Sequence, residues 1–388
     1  MASPQPESQV VSEVAAEVTE AVEPPPEPQA PPKPAPPRTV KSVVLTGYGA
    51  FDKLKVQAWP IPSSPGAGQV EVAVDTCGVN FADICVRRGL IKDRHPPFVL
   101  GLECAGTVSA IGEEVTSIKV GDRVICYQYT GDLYRETVIL PAANCFLLPA
   151  NIPFEHGAAL AANYLTAYFS VLDIGHLRPG QSILIHSCAG GVGWAATQLA
   201  RSVGSVTIFG TASPCKHDAA RENGVTHVLN PDTYEAELLK LSPKGVDVVI
   251  DSLSGPNFAV SQKLLKPLGR VILIGINSML SGHHKVGMIE MLKIAWSMKN
   301  VSTLDLVNGN RVVAGLHLGK LMDEEPERIR QAMEELFRFY KDGKIAPRID
   351  SVWPLDQIVD ASKHLSERKN IGKVLLRIGP PTSDAEKA

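Results

Sequence analysis

Between Gln69 and Asn80 the chain reads QVEVAVDTCGVN, with Val70, Val72 and Val74 alternating with polar neighbours. That period of two predicts a half-buried strand. VKSVVLTGYG and LKVQAWP predict two strands around a Gly-Tyr-Gly turn, and ECAGTVSAIG and VGDRVICYQ continue the strand-and-turn texture. Order is expected to begin near Val40. From Asn163 the pattern changes. Short apolar runs (SILIHS, SVTIFG, VDVVID, RVILIG) alternate with helical stretches, which predicts a doubly wound parallel sheet buried on both faces. Beyond residue 306 the pattern predicts a helix over Glu327–Tyr340, a strand around RIDSVW, another helix and a last strand, KVLLRI. The fold class is therefore α/β: a β-rich domain joined to a doubly wound, parallel-sheet domain.

Residues 1–38 carry none of these patterns. They hold eleven of the 30 prolines, six glutamates and no aromatic residue. Such a segment cannot bury enough surface to offset its ordering entropy, so a disordered tail is expected. Val11, Val14, Val18 and Val22 share a helical stripe there, but an isolated helix this short is marginal in water. Residues 380–388 form a second, polar tail. The net charge of −3 argues against a nucleic-acid binder. No apolar run reaches the roughly 18 residues of a membrane span. The seven cysteines are scattered, odd in number and free of C-x-x-C spacing, which fits free thiols in a reducing compartment. The acidic, arginine-poor N-terminus matches neither a signal nor a transit peptide, so a cytoplasmic location is expected.

The segment ILIHSCAGGVGWAATQLA, residues 183–200, approximates the dinucleotide fingerprint G-x-G-x-x-G. Its first position is Cys188 and its others are Gly190 and Gly193. The turn follows a predicted strand and opens a helix, the context the fingerprint requires. Gly190, Gly191 and Val192 would bring backbone N–H groups and the helix N-terminus to a pyrophosphate, and Gly193 would let helix and strand pack closely. An NAD site places an acid about 20 residues further on, for the ribose hydroxyl. Here the next strand ends at Gly210 and the chain continues from Thr211 as TASPCKH. It has no acid, and Ser213 and Lys216 offer a hydroxyl and a cation to a 2'-phosphate. The expected cofactor is NADP(H).

CGVNFAD, GLECAGTVSAIGEEV, VGDRV, NYLTAY, AGGVGWAATQLA and NIGKVLL stand in the order found in the medium-chain dehydrogenase/reductase superfamily. The chain resembles its zinc-free quinone oxidoreductase branch over residues 40–379, and GTASPCKHDAARENGVTH and VVAGLHLGKL resemble vesicle-associated relatives within it. The resemblance implies a GroES-like catalytic domain over 39–162 and 307–379 around a Rossmann NADP-binding domain over 163–306. It implies a small residue where Cys188 stands, a nicotinamide beside Thr166, and a homodimer through edge strands of the Rossmann sheets.

Zinc-dependent members of the superfamily carry Cys and His where this chain has Asn80 and Leu102. An amide and an alkane replace a thiolate and an imidazole, and neither His283-His284 nor Cys215-x-His217 restores a four-ligand set. No metal is expected. Hydride transfer to a quinone or conjugated carbonyl needs positioning rather than a Lewis acid. The resemblance puts Asn80 beside the nicotinamide as the catalytic residue that orients this small-molecule acceptor. Asp83 is the second candidate, with a helix-initiating or salt-bridged alternative, and Gln128 and Tyr129 border the pocket. Ile91 stands where related reductases carry a tyrosine, which weakens the enzyme reading and the enoyl-thioester reading further. No G-x-x-x-x-G-K-[ST] supports an ATPase. The segment MIEMLKIAWSMKN, 288–300, is amphipathic: Glu290, Lys293, Ser297 and Asn300 share one face, and Ile289, Leu292 and Trp296 fill the rest. It either covers the fold or rests on a bilayer or a protein partner. The second functional reading is an NADPH-binding regulatory protein with little turnover, peripheral on the vesicle or outer mitochondrial membranes that the resemblance to vesicle-associated relatives implies.

Overall fold

A computed structural model describes residues 38–276, 287–297 and 301–378. The two expected tails apart from Arg38, the His283-His284 pair and Asn300 lie outside the described residues. Close to the expected start at Val40, β1 (Arg38–Leu45) pairs along its whole length with β2 (Leu54–Ile61). β4 (Phe98–Val99) completes that small sheet.

The larger antiparallel sheet is built on β3 (Gln69–Val79), the alternating valine strand. On one side it pairs with β5 (Glu103–Ile111), then β6 (Arg123–Tyr127) and β8 (Cys145–Leu147); on the other it pairs with β16 (Lys373–Arg377), beyond which lies β15 (Ile349–Pro354). β7 (Thr137–Pro141) also pairs with β3. The chain thus leaves this lobe after β8 and returns to it near its end. β3 is more buried than its alternation predicts: Val70 and Val72 are inaccessible and even Glu71 is 8% exposed, because Arg38 and Ser109 hold its carboxylate.

The intervening sheet is parallel, ordered β11 (His227–Leu229), β10 (Thr207–Thr211), β9 (Ser182–Ile185), β12 (Val246–Asp251), β13 (Leu265–Leu273), β14 (Val312–Gly315). The order reverses at β9, the topological switch point where such sheets open a ligand crevice. β14 lies beyond residue 306, in the stretch assigned above to the return. It sits here because Val312–Gly315 continue the parallel ladder on β13. The helix Pro326–Lys341 buries Ile329, Ala332, Met333 and Leu336 in the core that contains Leu160, Leu165 and Phe169.

The helix Met288–Ser297 does not cover the fold as an amphipathic surface helix ordinarily would. Met288, Ile289, Leu292 and Trp296 are 79%, 73%, 65% and 77% exposed. Leu304 and Val307, on the next helix Thr303–Gly309, are exposed as well.

Candidate functional site

The glycine turn joins β9 to the helix Gly191–Val203. The missing fingerprint glycine causes no conflict, because the left-handed residue of the turn is Ser187, at φ +55°. Cys188 is buried beneath Gly210, where a Cβ would come 2.7 Å from its sulfur. Gly193 and Gly191 are required by the protein's own packing: Cβ atoms there would lie 2.3 Å from the Ser187 carbonyl oxygen and 2.1 Å from the Asn163 amide nitrogen. Gly190 differs. A Cβ there would meet only the Ser187 carbonyl oxygen, at 3.3 Å, so its outer face is open to a ligand, as a pyrophosphate cradle requires.

A buried network supports this turn from beneath. Thr211, at the end of β10, accepts the Ser187 N–H on its hydroxyl (3.1 Å) and the Cys188 N–H on its carbonyl (3.0 Å). Its hydroxyl lies 3.3 Å from His186 Nδ1, and His186 Nε2 lies 3.4 Å from the Ser261 hydroxyl, which donates to Asp251 at 2.9 Å. The other Asp251 oxygen accepts the N–H groups of Leu253 and Ser254, each at 2.8 Å. Burial lowers the His186 pKa, which favours the neutral imidazole. The ends of β9, β10 and β12 are thereby tied together. None of His186, Asp251 or Ser261 was singled out in the sequence; the acid closing VDVVID was the available signal.

Of the proposed adenosine-side groups, Ser213 is exposed and Lys216 is already engaged. Its ammonium donates to the carbonyls of Arg368 and Asn370, at 2.6 and 2.7 Å. The same loop returns to the glycine turn, where the Gly372 N–H donates to the Ala189 carbonyl at 2.9 Å. Residues 368–372 therefore clasp Lys216 and the turn together. Thr166 lies in the helical segment 154–173, whose Leu160–Tyr164 and Phe169–Asp173 portions widen to π-type turns. Its hydroxyl donates to the Ala162 carbonyl at 2.6 Å. Tyr129 and His317 meet edge to face, with a 3.1 Å contact from hydroxyl to Nε2, and Gln128 bonds the Gly131 carbonyl.

Asn80 and Asp83 begin the helix Phe81–Arg87, and both are turned inward. The Asn80 amide donates to the Gly78 carbonyl (3.1 Å) and to Glu103 (2.8 Å), and its oxygen accepts from the Lys373 ammonium (2.7 Å). Lys373 also makes a close ion pair with Glu103, both side chains sealed from solvent. The second Glu103 oxygen accepts the Ala162 N–H at 2.7 Å, tying the helix of Thr166 to the antiparallel sheet. Asp83 accepts the Asn80 N–H (2.9 Å) and the Tyr134 hydroxyl (2.6 Å), while its Oδ1 is buried with no hydrogen-bond partner. Burial raises the Asp83 pKa to about 6, against the hydrogen bond from Tyr134, which lowers it. Both ends of the Asn80 amide are occupied, and Asp83 has the helix-initiating place that was its alternative reading. Neither presents a free group to an open cavity.

Family models for an alcohol dehydrogenase GroES-like domain and for a zinc-binding dehydrogenase match residues 66–150 and 223–376. A synaptic vesicle membrane protein VAT-1 homologue from Rattus norvegicus is 47% identical over 89% of this chain and 85% of its own length. The crystal structure of the human VAT-1 homologue-like protein superposes with a TM-score of 0.77 at 34% identity, covering 89% of this chain and all of that one. A Pseudomonas syringae quinone oxidoreductase (TM-score 0.74, 28% identity, 87% and 99% covered) and a mycobacterial protein complexed with NADPH (0.76, 27%, 87% and 99%) share the fold. The zinc in the second family description does not fit this donor set. The ligand positions hold Asn80 and Leu102, an ammonium lies against the Asn80 oxygen, and among the described residues no group of three His, Cys, Asp or Glu side chains could hold a metal.

Proposed function

The chain belongs to the VAT-1 family of synaptic vesicle membrane proteins, within the medium-chain dehydrogenase/reductase superfamily of oxidoreductases, and on that premise we propose that it is an NADPH-dependent reductase of quinones or conjugated carbonyls. The open face of Gly190 above a helix N-terminus, with Lys216 rather than an acid beyond β10, is the observation that carries this reading. Bound NADPH supplies the hydride. Backbone N–H groups of Gly191 and Val192, beside the open face of Gly190, hold the pyrophosphate, Gly193 packs the helix on its strand, and Thr166 faces the nicotinamide. Gly210, Thr211 and Ser213 line the ribose, where Lys216 exchanges a carbonyl for a 2'-phosphate, a stronger acceptor for an ammonium. Asn80 and Asp83 serve as positioning residues for the wall of the cleft. NADPH consumption by the purified chain with a small quinone tests this. We expect turnover preferring NADPH over NADH, and Lys216→Ala raising KM for NADPH without changing that for NADH. Failure to bind either nucleotide overturns the reading.

A second reading, a regulatory NADPH-binding protein peripheral on a cytoplasmic vesicle or outer mitochondrial membrane, draws on Met288, Ile289, Leu292 and Trp296, exposed together on one helix. Among the described residues no helix is long and apolar enough to cross a membrane, so attachment by this surface is peripheral. Co-sedimentation with anionic vesicles, reduced at least tenfold by Leu292→Asp/Trp296→Asp, separates the two readings when set beside turnover. Among the described residues no further strand pairs with the outer edge of β14, which suits the homodimer that light scattering measures.

A further inference from the structure

Four of the seven cysteines stand in a single row across the antiparallel sheet. Cys77 on β3 is opposite Cys104 on β5, Cys104 is opposite Cys126 on β6, and Cys126 is opposite Cys145 on β8. All four are sealed in one apolar core, between 0% and 3% exposed. The sulfurs of Cys126 and Cys145 are 3.7 Å apart, whereas the Cys77 thiol donates to the Leu133 carbonyl at 3.3 Å.

A row is one-dimensional. Adjacent strands lie about 4.8 Å apart, so the ends of a four-strand row are about 14 Å apart and cannot close around one metal ion. Neighbours in a row can only pair. Directly opposed residues of an antiparallel ladder have Cα atoms about 4.5 or 5.5 Å apart, inside the window a disulfide accepts. Reaching the S–S bond length of about 2.05 Å asks the two sulfurs to approach by roughly 1.7 Å, within reach of small side-chain rotations.

We propose that Cys126 and Cys145 form a thiol-oxidation site, which hydrogen peroxide converts to a cross-strand disulfide. Cys145 is the entry point. It lies on β8, a three-residue strand at the outer edge of its sheet, and Leu147 beside it is half exposed. Short edge strands open locally at a fraction of the cost of global unfolding. In the closed sheet both thiols are held well above the ordinary thiol range, Cys126 by its neighbour Cys104 and burial against a lowering by Cys145, and Cys145 by Cys126 and burial, so reaction proceeds from the opened edge and is slow. The Cys145 sulfur attacks one peroxide oxygen and the O–O bond breaks. This yields a sulfenic acid and a water that carries off the thiol proton. The Cys126 sulfur then displaces the sulfenic oxygen, which leaves with the Cys126 proton as a second water. Two thiols lose two electrons and two protons, and one peroxide becomes two waters.

The test uses the full chain with Cys215→Ser, because Cys215 is the exposed cysteine among the seven. The protein is titrated with hydrogen peroxide, alkylated and mapped without reduction. The expected result is a Cys126–Cys145 linked peptide that dithiothreitol reverses, reduced at least tenfold by Cys126→Ser or Cys145→Ser and retained in Cys77→Ser. Wild-type chain serves as its own control for exposure. If Cys215 is fully oxidised there while Cys126 and Cys145 still alkylate, the proposal fails. A Cys104–Cys126 link in place of Cys126–Cys145 overturns it equally.

Discussion

The parallel and antiparallel sheets both bury polar networks, but they assemble them differently. Beneath the glycine turn, Thr211, His186, Ser261 and Asp251 form a chain of hydrogen bonds at the ends of neighbouring strands. Every member except Asp251 is uncharged there, and the chain leads outward to a backbone turn facing the crevice. In the antiparallel lobe, Glu103, Lys373, Asn80, Asp83 and Tyr134 form a sealed ionic cluster whose partners come from opposite ends of the chain: Lys373 reaches Asn80 across 293 residues and Glu103 across 270. The first arrangement fixes a backbone turn whose outer face is open at Gly190. The second locks the returning C-terminal strand into the lobe that the chain left after β8. A polar network in a core is therefore not evidence of a reaction centre until its exits are traced.

The sharpest way to break that contrast is to remove one charge from the sealed cluster. Lys373→Met leaves Glu103 buried and unpaired, and should destabilise the chain by about 3–5 kcal/mol in denaturant unfolding. Adding Glu103→Gln should recover much of that loss. If the single variant is as stable as wild type, the cluster is not what holds the return. Asp251→Ala should cost less, about 1–3 kcal/mol, by stranding the Leu253 and Ser254 N–H groups. It should also weaken NADPH binding measured by fluorescence titration, an effect Lys373→Met should not share in the fraction that remains folded.

A smaller effect lies in pH. Asp83 titrates near 6 in the folded chain against an ordinary value near 4. Its folded pKa is raised, so its contribution is fully present below the unfolded pKa and is lost as pH rises from about 4 through about 6. Urea unfolding should show about 1 kcal/mol more stability at pH 5 than at pH 7 from this group, and Asp83→Asn should flatten that slope. The smallest expected change in stability, under about 1 kcal/mol, follows Lys216→Ala, whose two carbonyl contacts lie near the surface. A Tm shift larger than that of Asp251→Ala would make Lys216 part of the domain clasp first and a phosphate ligand second.

How legible each region was follows from the same contrast. The glycine turn, its strand and its helix are contiguous, so Gly190 to Gly193 could be read from spacing, and so could the missing acid beyond β10. Asn80 and Asp83 were noticed through motifs, but Lys373, which bonds Asn80 and Glu103, was not, although it sits inside the quoted NIGKVLL. Nothing local marks a lysine as an ion-pair partner for a residue 270 positions away. The cysteines looked scattered for the same reason: strand register, invisible in spacing, sets Cys126 opposite Cys145. The helix from Met288 had the amphipathic pattern of a cover, and only the fold decides whether a neighbour is there to be covered.

Local pattern by itself determined the two kinds of sheet, the order of their strands along the chain and the position of the glycine turn. These depend on residues within a few turns of one another, where periodicity and backbone sterics act directly. Tertiary structure alone decided which strand edges lie open and that Lys216 spends its ammonium on the 368–370 loop. It likewise decided that Asn80 faces an ion pair and that four distant thiols share one row. Each of those rests on strand register and chain return, set by the packing of the whole core rather than by any segment of it.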